Sequence, residues 1–357
     1  MKLLLLGDLY YDYDYIAEDY KKICSYVCHK GYQTIVNLES SLSDAGKPIK
    51  KRGPHLCSSD LAMDVLRGIN VAAVTLANNH TMDYGGEGLL KSIKQLDKAE
   101  IKHLGAGENV LEAEEPIIFR DISSNSQDII LMNCGWDVEE TVYTAKNTAG
   151  CAPLDRKKVV ERIKATRLQN KNSKLILFAH WGFEYNTLPM PLDIRFAHQC
   201  IDVGCDLIIG HHPHVIQPKE IYKGKEIYYS LGNFYFGSRR DTFNKIFPYE
   251  DDQYFASIGV GVVLDTDSWK TEQIKIKYDF DSKTSDISSW DLFPVLKEQE
   301  YTDRNYIKRI KKHAMNINPI LTGNEVSDCI KILLLNFEYK IYSIIKPLRM
   351  IIRKSNG

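Results

Sequence analysis

"GHHPHVIQPK", residues 210–219, places three histidines, His211, His212 and His214, in four consecutive positions. The stretch before it, "CDLIIG" (205–210), is a short apolar run and reads as a buried strand. A strand that leaves the core and at once presents three imidazoles resembles the carboxyl-end crevice where open α/β sheets bind their ligands. One histidine there would mean little. Three raise the question of metal, and the other strands answer it.

Short apolar runs recur along the chain with helical segments between them. "KLLLLGD" (2–8), "TIVNLES" (34–40), "VAAVTLANNH" (71–80), "DIILMNCG" (128–135) and "KLILFAHWG" (174–182) read as strands. Helices are expected at about 15–30, 59–68, 86–99, 155–170 and 192–203. The third carries Leu89, Leu90, Ile93 and Leu96 at helical spacing. "KEIYYSLGNF" (225–234), "ASIGVGVVLDT" (256–266) and "EQIKIKYDF" (272–280) follow as strands. Turn signals "KG" and "DTDSWK" make hairpins of these last segments, so an α/β fold with mixed sheets is expected. No internal repeat or low-complexity segment breaks the pattern.

With 357 residues the chain is long enough for one large domain or two and can bury a sizeable core. It is 44% hydrophobic and 26% charged, ordinary for a soluble globular protein. A formal net charge of -1 gives no reason to expect nucleic acid as a partner. The 21 tyrosines are read as core and rim residues. Eight cysteines form no C-x-x-C motif; Cys24 and Cys28 are four apart on a helix, and Cys200 and Cys205 flank a turn. Reduced thiols in the cytoplasm are the expectation. "MKLLLLGD" turns polar too soon for a signal sequence and reads as the first buried strand.

The strand exits share a chemistry. They carry Asp8; Asn37 and Glu39; Asn78, Asn79 and His80; His180 with Glu184 nearby; His211, His212 and His214; and Asn233. Five of the ten histidines fall in these few positions. Taken singly, each has an ordinary explanation. Asp8 can cap a helix, Glu39 can cap a turn with Ser40 and Ser41, "NNH" can be a plain turn, and His180 can be a satisfied core histidine. Together they would require many coincidences at one sheet edge. Carboxylate, amide oxygen and imidazole suit Zn, Mn or Fe. Two such ions can clamp a phosphate and activate a water for in-line attack.

At this point the residues form a known ordered set: "GD" at 7–8, "NLES" at 37–40, "LANNHTMDYG" at 76–85, "HWGFEY" at 180–185, "GHHPHVIQPKE" at 210–220 and "YYSLGNF" at 228–234. The chain resembles the CapA-type proteins of bacterial capsule and poly-γ-glutamate synthesis over roughly residues 1–265. That family is similar to the calcineurin-like metallophosphoesterases. The resemblance implies a four-layer α-β-β-α sandwich and a site for one or two divalent transition-metal ions. It implies that Asp8 is the first metal carboxylate and that Glu39 stands where a bridging Asp usually stands. Asn79 would be an amide ligand, His180 and His212 ligands of the second metal, and His214 a ligand of the first. His80 would not bind metal and would protonate the leaving oxygen. His211 is an extra imidazole, either beside the ligands or exposed. One departure matters: phosphoesterases of this class begin Asp-x-His, and here Tyr10 replaces the His.

Three functions are compatible with these residues. The first is a metal-dependent, phosphoesterase-like hydrolase or transferase in capsule or poly-γ-glutamate-type biosynthesis. The second uses His80, His180 and Glu184 on an amide or an α-carbon of a peptide-like substrate. The third is a non-catalytic subunit of a polymer synthase. Expected substrates are an anionic polymer, a peptide or a phosphoester. The main domain is drawn at 1–280, and 281–357 as a helical C-terminal extension. In its last stretch Lys340, Lys346 and Pro347 rule out a spanning helix; Lys346, Arg349, Arg353 and Lys354 suit anionic lipid or an acidic partner, and packing of the tail on the main domain is the plain alternative. The segment 136–153 reads as a loop over the site or as a surface insertion.

Overall fold

The computed structural model describes residues 1–11, 21–51, 54–58, 60–120, 128–136, 141–184, 186–236, 239–240, 246–247, 258–279, 284–289 and 295–296. The chain opens with β1 (Lys2–Tyr10), α1 (Lys21–Lys30), β2 (Gln33–Leu38), α2 (Leu61–Gly68), β3 (Val71–Thr75), α3 (Gly85–Lys98) and β4 (Lys102–Leu104). It continues with β5 (Ala106–Gly107), α4 (Val110–Glu114), β6 (Ile117–Phe119), β7 (Ile129–Gly135), β8 (Gly150–Cys151), α5 (Arg156–Gln169), β9 (Lys174–His180) and α6 (Pro191–Asp202). The later part holds β10 (Leu207–His211), β11 (Ile216–Tyr222), β12 (Lys225–Leu231), β13 (Asn233–Phe236), β14 (Arg239–Arg240), β15 (Ile246–Phe247), β16 (Ile258–Asp265), β17 (Lys270–Asp279) and β18 (Thr284–Ser289).

Two mixed sheets carry the fold. The first runs β18-β17-β16-β1-β2-β3-β4, with β13 also paired to β1; the second runs β11-β12-β10-β9-β7-β6. Within the first, β1 to β4 are parallel and β16 pairs antiparallel with β1. Within the second, β7, β9, β10 and β12 are parallel.

Strand alternation sets the layers. Successive side chains of a strand point to opposite faces. In "KLLLLGD", Leu4 and Leu6 join α1, α2 and α3 residues such as Ile23, Val65, Leu66 and Leu89 in one buried cluster. Leu3 and Leu5 face the other way and pack with Ile176, Phe178, Leu207 and Ile209 of the second sheet. Val159 and Ile163 of α5 and Phe196 of α6 are buried on the far side, where Phe196 meets the Trp181 ring edge-on at 6.1 Å. The result is a four-layer α-β-β-α sandwich. β1 to β3, β7, β9 and β10 all run with their carboxyl ends to the same region, which is where the candidate metal-binding residues stand.

The expected hairpins are present: Tyr222 pairs with Lys225 across "KG", and Asp265 with Lys270 across the second turn. The first sheet runs past residue 280. Thr284–Ser289 is a strand on β17, where the sequence reading places the start of a helical extension. Ile287, the single apolar residue of "TSDISS", packs against the α1 side of the core and seats that strand. The chain divides into Met1–Lys297 and Glu298–Gly357. The second unit, with the expected basic amphipathic tail, lies outside the described residues. Among the described residues no helix is long and apolar enough to cross a membrane. The seven described cysteines are free thiols.

Candidate metal centre

Register brings the donors together. Asp8 pairs with Asn37 on β2 and with Asn233 on β13, across an irregularity in each ladder. His180 and His211 are partners at the ends of β9 and β10. The turn that follows is strained: His212 has φ 93° and His214 has φ 55°, on either side of Pro213. Left-handed backbone is unfavourable for side chains of this size and persists where surrounding contacts impose it, typically at functional sites. One such contact is the His212 backbone N–H, which donates to Asp8 Oδ2 at 3.1 Å. Gly210 precedes the turn because nothing larger fits: a Cβ there would lie 1.9 Å from the Tyr229 carbonyl oxygen.

Asn37 is the hub of the first-sheet side. Its Nδ2 donates to Asp8 Oδ1 at 2.8 Å, while its Oδ1 accepts from the Thr75 hydroxyl at 3.0 Å and from Asn78 Nδ2 at 3.3 Å. Glu39 Oε1 lies 3.5 Å from both His180 Nε2 and His214 Nε2, a bridging position. Asn79 Oδ1 is 2.8 Å from His180 Nε2. His214 Nδ1 meets Asn233 Oδ1 at 2.9 Å, and its Nε2 faces Glu39. Three sets of donor atoms lie within 4.8 Å of one another: Glu39 with His180 and His212, Asp8 with Glu39 and His214, and Glu184 with His212 and His214.

The electrostatics suit a cation. Burial pushes the Asp8 carboxyl up to about 7, against the hydrogen bonds from Asn37 and His212. Burial, and then the neighbouring imidazoles, hold His180 well below the ordinary histidine range. Buried carboxylate is disfavoured and buried imidazole is kept neutral. A divalent ion among these groups would favour ionised Asp8 and would take the imidazole lone pairs, so the residues present fit the metal that the sequence implies. Asp8, Glu39, Asn79, His180, His212 and His214 all converge, and all are buried.

His80 is held differently. Its Nδ1 lies 2.7 Å from Asp83 Oδ2 and 3.0 Å from Lys51 Nζ. Lys51 forms a fully buried ion pair with Asp83 and donates to the Asn79 carbonyl at 3.3 Å. Burial pushes the Asp83 carboxyl up to about 6, with Lys51 pulling it down.

Sequence reasoning missed Asp83 and Lys51. The His80/Asp83 spacing of three was a readable signal; "KPIKKRG" reads as a solvated basic run and hides Lys51. Of the two readings of His211, exposure is excluded. It is buried between the sheets, its Nε2 is 3.0 Å from the Leu6 carbonyl, and its ring stacks on Phe178. Burial brings it down to about 4, so it is neutral. Glu184 is half-buried beside His212 and His214. The Tyr10 ring packs with Leu56 and Phe236. Of the segment 136–153, the Cys151 end is pinned beside the third strand exit, with Sγ 3.4 Å from the Asn78 carbonyl.

The family model described as "Bacterial capsule synthesis protein PGA_cap" matches residues 3–238, more than half of the chain, and the chain belongs to that family. It is 31% identical over 208 residues to "PGA biosynthesis protein CapA" of Bacillus subtilis (strain 168), covering 57% of this chain and 52% of that protein. It is 31% identical over 184 residues to "Capsule biosynthesis protein CapA" of Bacillus anthracis, covering 51% and 44%. A "Probable polyglutamine synthesis accessory protein" of Mycobacterium tuberculosis is 26% identical over 211 residues, covering 56% and 54%. The chain spans about half the length of the curated relatives it matches.

Proposed function

We propose that the chain is a metal-dependent hydrolase or transferase that acts on a phosphoester or related anionic substrate in the synthesis of a capsule or poly-γ-glutamate-type polymer. The observation that carries this reading is the convergence of two buried carboxylates, one amide and three imidazoles from two sheets, with His80 beside them. Bound Mn, Zn or Fe would supply Lewis-acid charge on a phosphoryl oxygen and an acidified water. Asp8, Glu39 and His214 form one half of the holding set; Asn79, His180 and His212, with Glu39 shared, form the other. Asn37 and Asn233 orient them. His80, fixed through Nδ1 by Asp83 and Lys51, delivers a proton from Nε2 to the leaving oxygen, a contribution of ~10²–10⁴-fold. The link to polymer synthesis rests on the names of the relatives.

The test is elemental analysis of the purified protein, then assay of the same sample on phosphate mono- and diesters. Stoichiometric metal with turnover supports the reading. Metal without turnover, in a strain that needs this protein for its polymer, favours an accessory subunit, the description borne by the mycobacterial relative.

A further inference from the structure

Tyr10 stands two residues after Asp8 on the first strand. Its phenol ring is buried against Phe236, with ring centroids 5.4 Å apart, and serves packing. Among the described residues, Asp8, Glu39 and His214 form one donor set there. The loop after β9 supplies another group. Glu184 places a carboxylate oxygen within 4.8 Å of the ligating nitrogens of His212 and His214, a spread that small side-chain movements bring to metal–ligand distances of ~2.0–2.2 Å.

That loop is built to hold the carboxylate in place. Gly182 has φ +84° and turns the chain back over Pro213, where a Cβ would lie 3.3 Å from Pro213 Cγ. Phe183 packs edge-on to Trp136 with centroids 5.4 Å apart. Gln217 of β11 donates to the Asn186 carbonyl at 2.7 Å and to the Leu188 carbonyl at 3.1 Å. The loop is therefore fixed on both sides of Glu184.

We propose that Glu184 is a metal ligand, adding a carboxylate to the donors beside His212 and His214. This rests on the metal-centre reading above and assigns Glu184 to coordination, not to proton transfer. Its chemical consequence is a shell richer in oxygen. Carboxylate in place of imidazole shifts preference from Zn toward Mn.

The experiment uses the full chain, stripped of metal by chelation and titrated with Mn²⁺ while the EPR signal of free aqueous Mn²⁺ is followed. Glu184→Gln, which keeps shape and removes charge, should weaken Mn²⁺ binding at least about tenfold, the scale on which even groups behind the ligands act. The loss for Zn²⁺ should be smaller. The visible absorption of the Co²⁺-loaded protein should change, and the melting temperature of the metal-free protein should not. Glu184→Asp keeps the charge and shortens the reach; it should weaken binding in the same direction. Wild-type Mn²⁺ affinity and an unchanged Co²⁺ spectrum in both variants, with Asp8→Asn weakened as a control, would overturn the assignment and leave the metal centre standing. No uptake of either ion by the wild type would overturn the metal-centre reading, and the role of Glu184 with it.

Discussion

His80 and His212 are both buried imidazoles at strand exits, yet their surroundings assign them different work. His80 Nδ1 faces Asp83 and Lys51, while His212 shares donor sets with Glu39, His180 and Glu184. The expected outcome is asymmetric. His80→Ala keeps metal and fold and loses ~10²–10⁴-fold in turnover; His212→Ala and Glu39→Ala lose metal and turnover together. Metal content and rate measured on the same preparations decide it, and a His80→Ala protein without metal would make His80 a ligand. His211 should behave as neither. His211→Ala leaves the Leu6 carbonyl without its buried partner and should cost about 1–3 kcal/mol in denaturant unfolding, with metal content unchanged. At this scale the sequence named the acidic, amide and imidazole residues because each ends an apolar run. It could not say which of these three imidazoles turns toward the core between the sheets, since that depends on left-handed backbone at His212 and His214 and on a partner, Leu6, 205 residues earlier in the chain.

The strands were legible because their apolar periodicity is strong, as in β1, β9 and β10. The short elements were not: β5, β6 and β8 have two or three residues each, too few to show a period, and exist because neighbouring segments pair with them. The segment between β2 and α2 is the instructive case. It holds no regular element among its described residues, yet it is tied to the turn after β3, chiefly at Asp83. Asp83 accepts from the Leu56 backbone N–H at 2.7 Å and pairs with Lys51, and the Ile49 N–H donates to the Asp83 carbonyl at 2.9 Å. Lys51→Met removes the cation and leaves a buried carboxylate, so a loss of about 3–5 kcal/mol is expected from chemical denaturation. Lys51→Met combined with Asp83→Asn should recover part of that loss. If the single variant costs nothing, the pair does not hold the segment.

At the scale of the whole molecule the site belongs to neither sheet. Asp8, Glu39 and Asn79 come from the exits of the first sheet, His180, His212 and His214 from those of the second, and Glu39 stands between. The fold class could be read from alternating strands and helices, but the facing of the two sheets could not be seen locally; it follows from Leu3 and Leu5 burying themselves against Ile176 and Ile209. Sandwich and site therefore depend on each other. A divalent ion bound there would be held by donors from both sheets. The most direct test is the thermal unfolding of chelated protein with and without added Mn²⁺ or Zn²⁺. An ion that binds the native state only, at a hundredfold excess over its dissociation constant, stabilises by about 2.7 kcal/mol. The account predicts a rise in melting temperature that Asp8→Asn and His212→Ala abolish. A melting temperature unmoved by either ion, in a protein that purifies without metal, would contradict it.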